Sequence, residues 1–197
     1  DALLELLQAR WRSADLDFAR AIADLLLDRF QDRERGGFWF TAQGQDPPLG
    51  RSRSFADEAM PSGNGVAALA LARLGWLLGE PRYLDAAAAT LRSGSASLER
   101  APQAHTTLLN ALDEWLQPGE IIVIRGAEAS EWAAALAPLY APRRMIFAIL
   151  ADAELPAALA AKQPGAGTVA WICQGPQCSA PVTDLPHLVR TLRDGTG

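Results

Sequence analysis

Through the first hundred residues, apolar side chains return every three or four positions, the period of helices that each bury one face. In residues 13–30 the stripe is Phe18, Ile22, Leu25, Leu26 and Phe30, with Asp15 and Asp17 in the first turn, where the helix dipole favours acids. A second helix is predicted over 61–78, with Val66, Leu69, Ala70, Leu74, Leu77 and Leu78 on its inner side; Gly79 is placed to end it and Pro81 to begin the next. That third helix carries Tyr83, Leu84, Ala87, Ala88 and Leu91, and a fourth carries His105, Leu108, Leu109, Leu112, Trp115 and Leu116. Residues 2–9 are also helical in pattern, with Leu3, Leu4, Leu6 and Leu7 but no capping residue ahead of them, which reads as the continuation of a longer chain. Between the helices, Gly36-Gly37-Phe38-Trp39-Phe40-Thr41 reads as a short strand in a hairpin.

After Pro118-Gly119 the period changes. Apolar runs at 121–124, 145–150 and 168–173 alternate with helical stripes: Trp132, Leu136 and Leu139; a short one at Leu155, Ala158 and Leu159; and Leu185, Leu188, Val189 and Leu192. Alternation of this kind predicts crossover connections and a small parallel three-stranded sheet covered by helices. The expected organisation is therefore mixed: helical hairpins over residues 1–118, then a small α/β domain over 119–197.

Composition narrows the partners. With 18 basic and 23 acidic residues among 197, the net charge of −5 has the wrong sign for phosphate backbones or anionic membranes, so neither nucleic acid nor membrane is an expected partner. No apolar run approaches the roughly 20 residues that cross a bilayer. Two cysteines cannot build a disulfide framework, which points to a reducing, cytoplasmic setting.

The densest chemistry is the run Arg51-Ser52-Arg53-Ser54-Phe55-Ala56-Asp57-Glu58, leading into Pro61-Ser62-Gly63-Asn64 at a helix start. Two guanidiniums, two carboxylates and helix N–H groups suit a sugar or sugar phosphate, with Phe38 and Trp39 as a stacking platform for a pyranose. The same residue types equally suit a structural role, with Ser62 or Asn64 capping the helix and Arg53 paired to Asp57. Asp57 and Glu58 are adjacent and diverge in an extended chain, so this pair assembles no glycosidase mechanism. His105 and His187 fall on apolar helix stripes and read as packing residues. Cys173 and Cys178 flank Gln174-Gly175-Pro176-Gln177 past the third strand. Buried inert thiols are the simpler reading, and a turn that joins the sulfurs as a redox pair is the other. Gly126 follows a strand as in a nucleotide loop, but without the dinucleotide glycine spacing; no cofactor and no metal are assigned.

Gly36 to Thr41, Arg51 through Asp57, Ala59-Met60-Pro61-Ser62-Gly63-Asn64, the strand Glu120-Ile121-Ile122-Val123-Ile124, and Cys173 to Cys178 followed by Ala180-Pro181-Val182 occur together in this order. In this the chain resembles the C-terminal part of thioredoxin-domain-containing proteins of the spermatogenesis-associated family. The resemblance implies an N-terminal thioredoxin-like domain outside this sequence, an α/α toroid similar to six-hairpin glycosidases and N-acylglucosamine 2-epimerases, and a small α/β region. Arg51, Asp57, Ser62, Gly63 and Asn64 match the pattern and Arg53 keeps its basic character. Ser54, Ala56 and Glu58 depart from it.

Three functions remain open on these residues. The first is a carbohydrate-binding or carbohydrate-modifying toroid, glycosidase- or epimerase-like only in a full-length protein. It places Phe38, Trp39, Arg51, Arg53, Asp57, Ser62 and Asn64 around a ligand. The second is a thiol-redox accessory using Cys173 and Cys178; the third is a non-catalytic scaffold or interaction module with a structural polar cluster. A partial toroid leaves helix faces uncovered, so contact with the preceding part of the same protein, or self-association, is expected.

Overall fold

The computed structural model describes residues 1–45, 47–48, 50–165 and 167–194. Among them are eight α-helices and a four-stranded sheet. The chain divides into two compact units, one of Asp1 with Asp17–Gln117 and the other of Ala2–Leu16 with Pro118–Gly197. No helix among the described residues is long and apolar enough to cross a membrane.

The helical unit holds α2 (Ser13–Arg29, from Asp17 on), α3 (Gly63–Leu78), α4 (Pro81–Arg100) and α5 (Thr106–Leu116); a long stretch, 30–62, with no helix among its described residues, leads from α2 to α3, while α3, α4 and α5 follow one another through short connections, the second with a 3₁₀ turn at Pro102–Ala104. Local chemistry sets the ends. The Ser62 hydroxyl accepts from the Gly65 N–H, Gly79 closes α3 in the left-handed region at φ 61°, and Glu80 caps α4, which opens on Pro81. A Cβ on Gly65 would lie 2.8 Å from the backbone nitrogen of Leu108, so the absence of a side chain there is what lets α3 approach α5 so closely. Ala68, Leu91, Leu98, Leu108 and Ala111 form the core between these helices, with Phe55 closing it from the rim.

The face of α2 is reversed from expectation. Phe18, Ile22 and Leu25 are 59%, 46% and 54% exposed, while Ala19, Ala23 and Leu27 are buried. This helix carries apolar residues on two sides, and periodicity alone cannot say which side turns inward. Asp24 decides it: the Tyr83 hydroxyl of α4 donates to its Oδ1 at 2.7 Å, and the small alanines beside it tolerate a close approach.

The strand expected over 36–41 is also absent. Two glycines at φ 78° and 80° turn the chain so tightly that Gln31 and Phe38 form a single antiparallel bridge. The Trp39 N–H donates to the Phe30 carbonyl and the Asp32 N–H to the Gly37 carbonyl.

The second unit contains α1 (Ala2–Ala9), β1 (Glu120–Arg125), α6 (Ala129–Leu136), β2 (Met145–Ile149), α7 (Ala157–Ala160), β3 (Val169–Gln174), β4 (Gln177–Cys178) and α8 (Leu185–Asp194). The strand order is β2-β1-β3-β4. Only β1 and β2 are parallel, with Val123 opposite Phe147; β1 with β3, and β3 with β4, are antiparallel. The sheet is therefore mixed and four-stranded, not parallel and three-stranded. A parallel return needs a connector that recrosses the whole strand length, about 3.3 Å per residue. The eight-residue α6 does this between β1 and β2. The connection from β2 to β3 holds, among its described residues, only the four-residue α7, and the chain enters β3 from the end at which it left β2.

One sheet face packs Ile122 and Ile124 against Trp132, Leu136, Leu188 and Leu192. Leu4 and Leu7 of α1 are buried, and Trp11 meets Phe147 edge to face at 5.8 Å. The Gln8 side-chain oxygen accepts the Ile146 N–H, so α1 takes up one amide of the β2 edge. Arg125, buried at the end of β1, donates to the carbonyls of Ala151, Leu159 and Lys162 and so ties down the connection to β3.

Candidate functional site

The rim of the helical unit grows from the Gly36-Gly37 turn. Asp32 precedes it and is buried; its Oδ1 accepts from the N–H groups of Glu34 and Arg35, forming the turn, and its Oδ2 meets Arg53 Nη1 at 3.0 Å. Arg53 also donates to the Gly36 carbonyl, and its guanidinium lies 5.4 Å from the Trp39 ring centre and 5.5 Å from that of Phe55. Arg51 lies 5.2 Å from the same Trp39 ring and donates to the Thr41 carbonyl through Nε and Nη2. Both arginines thus clamp the turn on which Trp39 sits.

Asn64, at the start of α3, faces this turn from the other side. Its Oδ1 accepts from the Phe38 N–H at 2.7 Å, and its Nδ2 donates to the carbonyls of Phe38 at 3.0 Å and Ser54 at 2.9 Å. A buried side-chain amide takes the place of a neighbouring strand, and it satisfies the backbone that the missing hairpin would have paired.

Asp57 joins two helix starts. Its Oδ1 accepts from the Ser62 N–H at 2.8 Å, ahead of α3; its Oδ2 accepts from the Thr106 hydroxyl at 2.8 Å and the Thr107 N–H at 2.9 Å, at the start of α5. Burial opposes the charged form, but the hydrogen bonds from Thr107, Ser62 and Thr106 outweigh it and hold this carboxyl far below its usual range. The helix dipoles act in the same direction.

The structure brings the seven rim residues into one neighbourhood, but Asn64 and Asp57 spend both of their side-chain polar atoms, and Arg51 and Arg53 part of theirs, on the backbone and on Asp32 and Thr106. Arg53 pairs with Asp32, not with Asp57. Phe38 is 5% exposed and has no free ring face to offer, Trp39 is half-buried under two guanidiniums, and Phe40 is 84% exposed. Asp32, Thr106 and Thr107 escaped the reading of the sequence. Asp32 four residues before a glycine was a usable turn signal; the two threonines lie about fifty residues from Asp57 and gave none.

Cavities of about 550 and 760 Å3 lie in the sheet unit. The first is lined by Arg10, Trp11, Ser130 and Ala148 among others, the second by Gly126, Glu128, Trp132 and Thr168 among others. Among the described residues, no three His, Cys, Asp or Glu gather as metal ligands would. His105 is buried with Nδ1 2.8 Å from the Ala101 carbonyl oxygen, and His187 is exposed. Cys173 and Cys178 are not two buried thiols: they form a disulfide across β3 and β4, with Cys173 buried and Cys178 exposed.

These features define a protein segment that couples helical hairpins to a small mixed α/β unit and whose conspicuous polar cluster is internally satisfied. No protein-family model matches the chain. It is similar to spermatogenesis-associated protein 20 of Homo sapiens, 30% identical over 204 residues that cover 96% of this chain and 26% of that protein. The Rattus norvegicus protein of the same name gives 30% with the same coverage, and that of Mus musculus gives 29%, covering 96% of this chain and 25% of that protein. Over nearly its whole length the chain is thus similar to these curated relatives, and it spans about a quarter of their length.

Proposed function

We propose that residues 17–117 are a non-catalytic interaction module, the closing hairpins of an α/α toroid, whose outward apolar face packs against further helices of a longer polypeptide. The rim cluster fastens the loops of this module rather than holding a substrate. The observation that carries the reading is Asp57, whose two oxygens are committed to three donors at two helix starts. Such a carboxylate has no role left as an acid or base. The docking face is the α2 stripe of Phe18, Ile22 and Leu25. Three large apolar side chains at i, i+4 and i+7 are the pattern by which one helix seats against another. The curated relatives supply an occupant, since three quarters of their length lies outside the match.

The carbohydrate reading rests on Phe40, which stands exposed beside Trp39 at the same rim; a sugar or sugar phosphate would have to bind there with few free polar groups.

The test is the triple variant Phe18→Ser, Ile22→Ser, Leu25→Ser, made in this chain and in a polypeptide of the relatives' full length. In this chain the unfolding free energy should change by less than about 1 kcal/mol. In the longer protein the loss should reach about 4 kcal/mol or more, because each buried side chain of this size contributes about 1.5–3 kcal/mol. Equal effects in the two settings, or a dimer of this chain in sedimentation that the variant abolishes, would overturn the reading.

A further inference from the structure

The β3–β4 hairpin carries chemistry that the helical module does not use. Cys173 and Cys178 sit directly opposite each other in its register and are bonded. Their surroundings are unequal: Cys173 is 5% exposed, in the strand next to β1, while Cys178 lies on the outermost strand and is exposed. Thiol exchange proceeds by in-line attack on one sulfur of the pair, so access decides which sulfur is attacked.

We propose that this pair is a reversible thiol–disulfide exchange site whose substrate is a dithiol, with Cys178 as the sulfur of entry and Cys173 as the sulfur that leaves and returns. A thiolate of the dithiol attacks Cys178 Sγ. The bond to Cys173 breaks, its electron pair goes to the Cys173 sulfur, and that sulfur takes a proton from water. The second thiol of the donor then attacks its own sulfur in the mixed disulfide and releases Cys178 as a thiol. Two electrons and two protons pass to the chain, and the donor becomes a disulfide; a disulfide acceptor runs the sequence backwards.

Two features make this pair an exchange site rather than a staple. First, the hairpin is held without it. The Ser179 N–H donates to the Ile172 carbonyl, the Ile172 N–H donates to the Ser179 hydroxyl, and Ala170 and Val182 exchange both backbone bonds. Gly175, at φ 55°, makes the turn. The reduced sulfurs therefore stay facing each other and can close again. Second, the bond joins residues only five apart, and the entropy removed from an unfolded chain is smallest for short loops.

The test uses the intact 197-residue chain with glutathione as the probe, quenched by acid and mapped by peptide mass spectrometry. At least tenfold more mixed disulfide is expected on Cys178 than on Cys173. In parallel, with Ellman's reagent, the Cys173→Ser chain should expose a thiol that reacts at least tenfold faster than the thiol of the Cys178→Ser chain. After reduction and removal of reductant, oxidised dithiothreitol should restore the intramolecular bond in monomeric protein. Equal labelling of the two cysteines, a preference for Cys173, or re-oxidation that yields mainly intermolecular disulfides would each overturn the proposal. The mapping in the intact chain stands even if a single variant misfolds, and none of these readouts depends on the helical module.

Discussion

The rim of the helical unit and the edge hairpin of the sheet unit invert each other. The rim carries two arginines and two carboxylates within eight residues, yet Arg53, Asp57 and Asn64 are engaged with carbonyls, amide N–H groups and the Asp32 carboxylate. The hairpin is nearly neutral and short, yet it presents a breakable covalent bond on an exposed strand. Residue type marks where chemistry could occur; what distinguishes these regions is whether the reactive atoms are already engaged. A carboxylate with three donors is a structural joint, and a sulfur at an open edge is accessible.

The sharpest way to break this contrast is to remove Asn64. If the rim is structural, Asn64→Leu removes three hydrogen bonds and strands the Phe38 N–H and the carbonyls of Phe38 and Ser54 in a buried site. The expected loss is about 3–5 kcal/mol in urea unfolding followed by circular dichroism, larger than for any exposed position of the chain. A loss under about 1 kcal/mol would mean that the rim loops are held by something else.

Asp57→Ala is expected to cost about 2–3 kcal/mol, since charged hydrogen bonds at two helix starts are lost together. The pH dependence carries a definite sign. The folded-state pKa lies below the ordinary 3.8, so the contribution is fully present above that value and is lost as pH falls through the depressed one. The stability difference between wild type and variant should be flat from pH 7 to 5 and should shrink only below about pH 3.8. A difference that already declines between pH 6 and 5 would indicate a carboxyl with a raised pKa, as expected of an acid catalyst and not of a joint.

How legible this was depended on range. Ser62, Gly79 and Pro81 act within a few residues of themselves, and the boundaries of α3 and α4 followed from them. The three apolar runs of the C-terminal half became β1, β2 and β3, because β1 is buried on both faces and the second faces of β2 and β3 are still partly covered, which leaves continuous apolar stretches. Direction was harder, since the connections from β1 to β2 and from β2 to β3 are equally long, and length therefore does not tell a parallel return from an antiparallel one. The inner face of α2 was illegible too: it rests on Tyr83, some sixty positions away, bonding Asp24. Asn64 was the subtlest case. It reads as a cap and in fact replaces a strand, a role visible only once the tight glycine turn has left Phe38 without partners.

The smallest effect should come from Phe40, and that smallness makes it useful. Its ring is 84% exposed and its fixed contact is through the backbone, where its N–H donates to the Ser52 carbonyl at 2.9 Å. Phe40→Ser should therefore shift stability by no more than about 0.5 kcal/mol. Because the fold does not need this ring, any change in ligand response can be assigned to lost contact, which is not so for Asp57→Ala, where a lower melting temperature accompanies the mutation whether or not a sugar binds. With monosaccharides and sugar phosphates in a thermal-shift titration, the interaction-module reading expects wild type and Phe40→Ser to be equally unresponsive. A sugar that stabilises wild type but not this variant would make the exposed aromatic a binding surface, and the rim would then belong with the hairpin, as a place where the fold leaves something open.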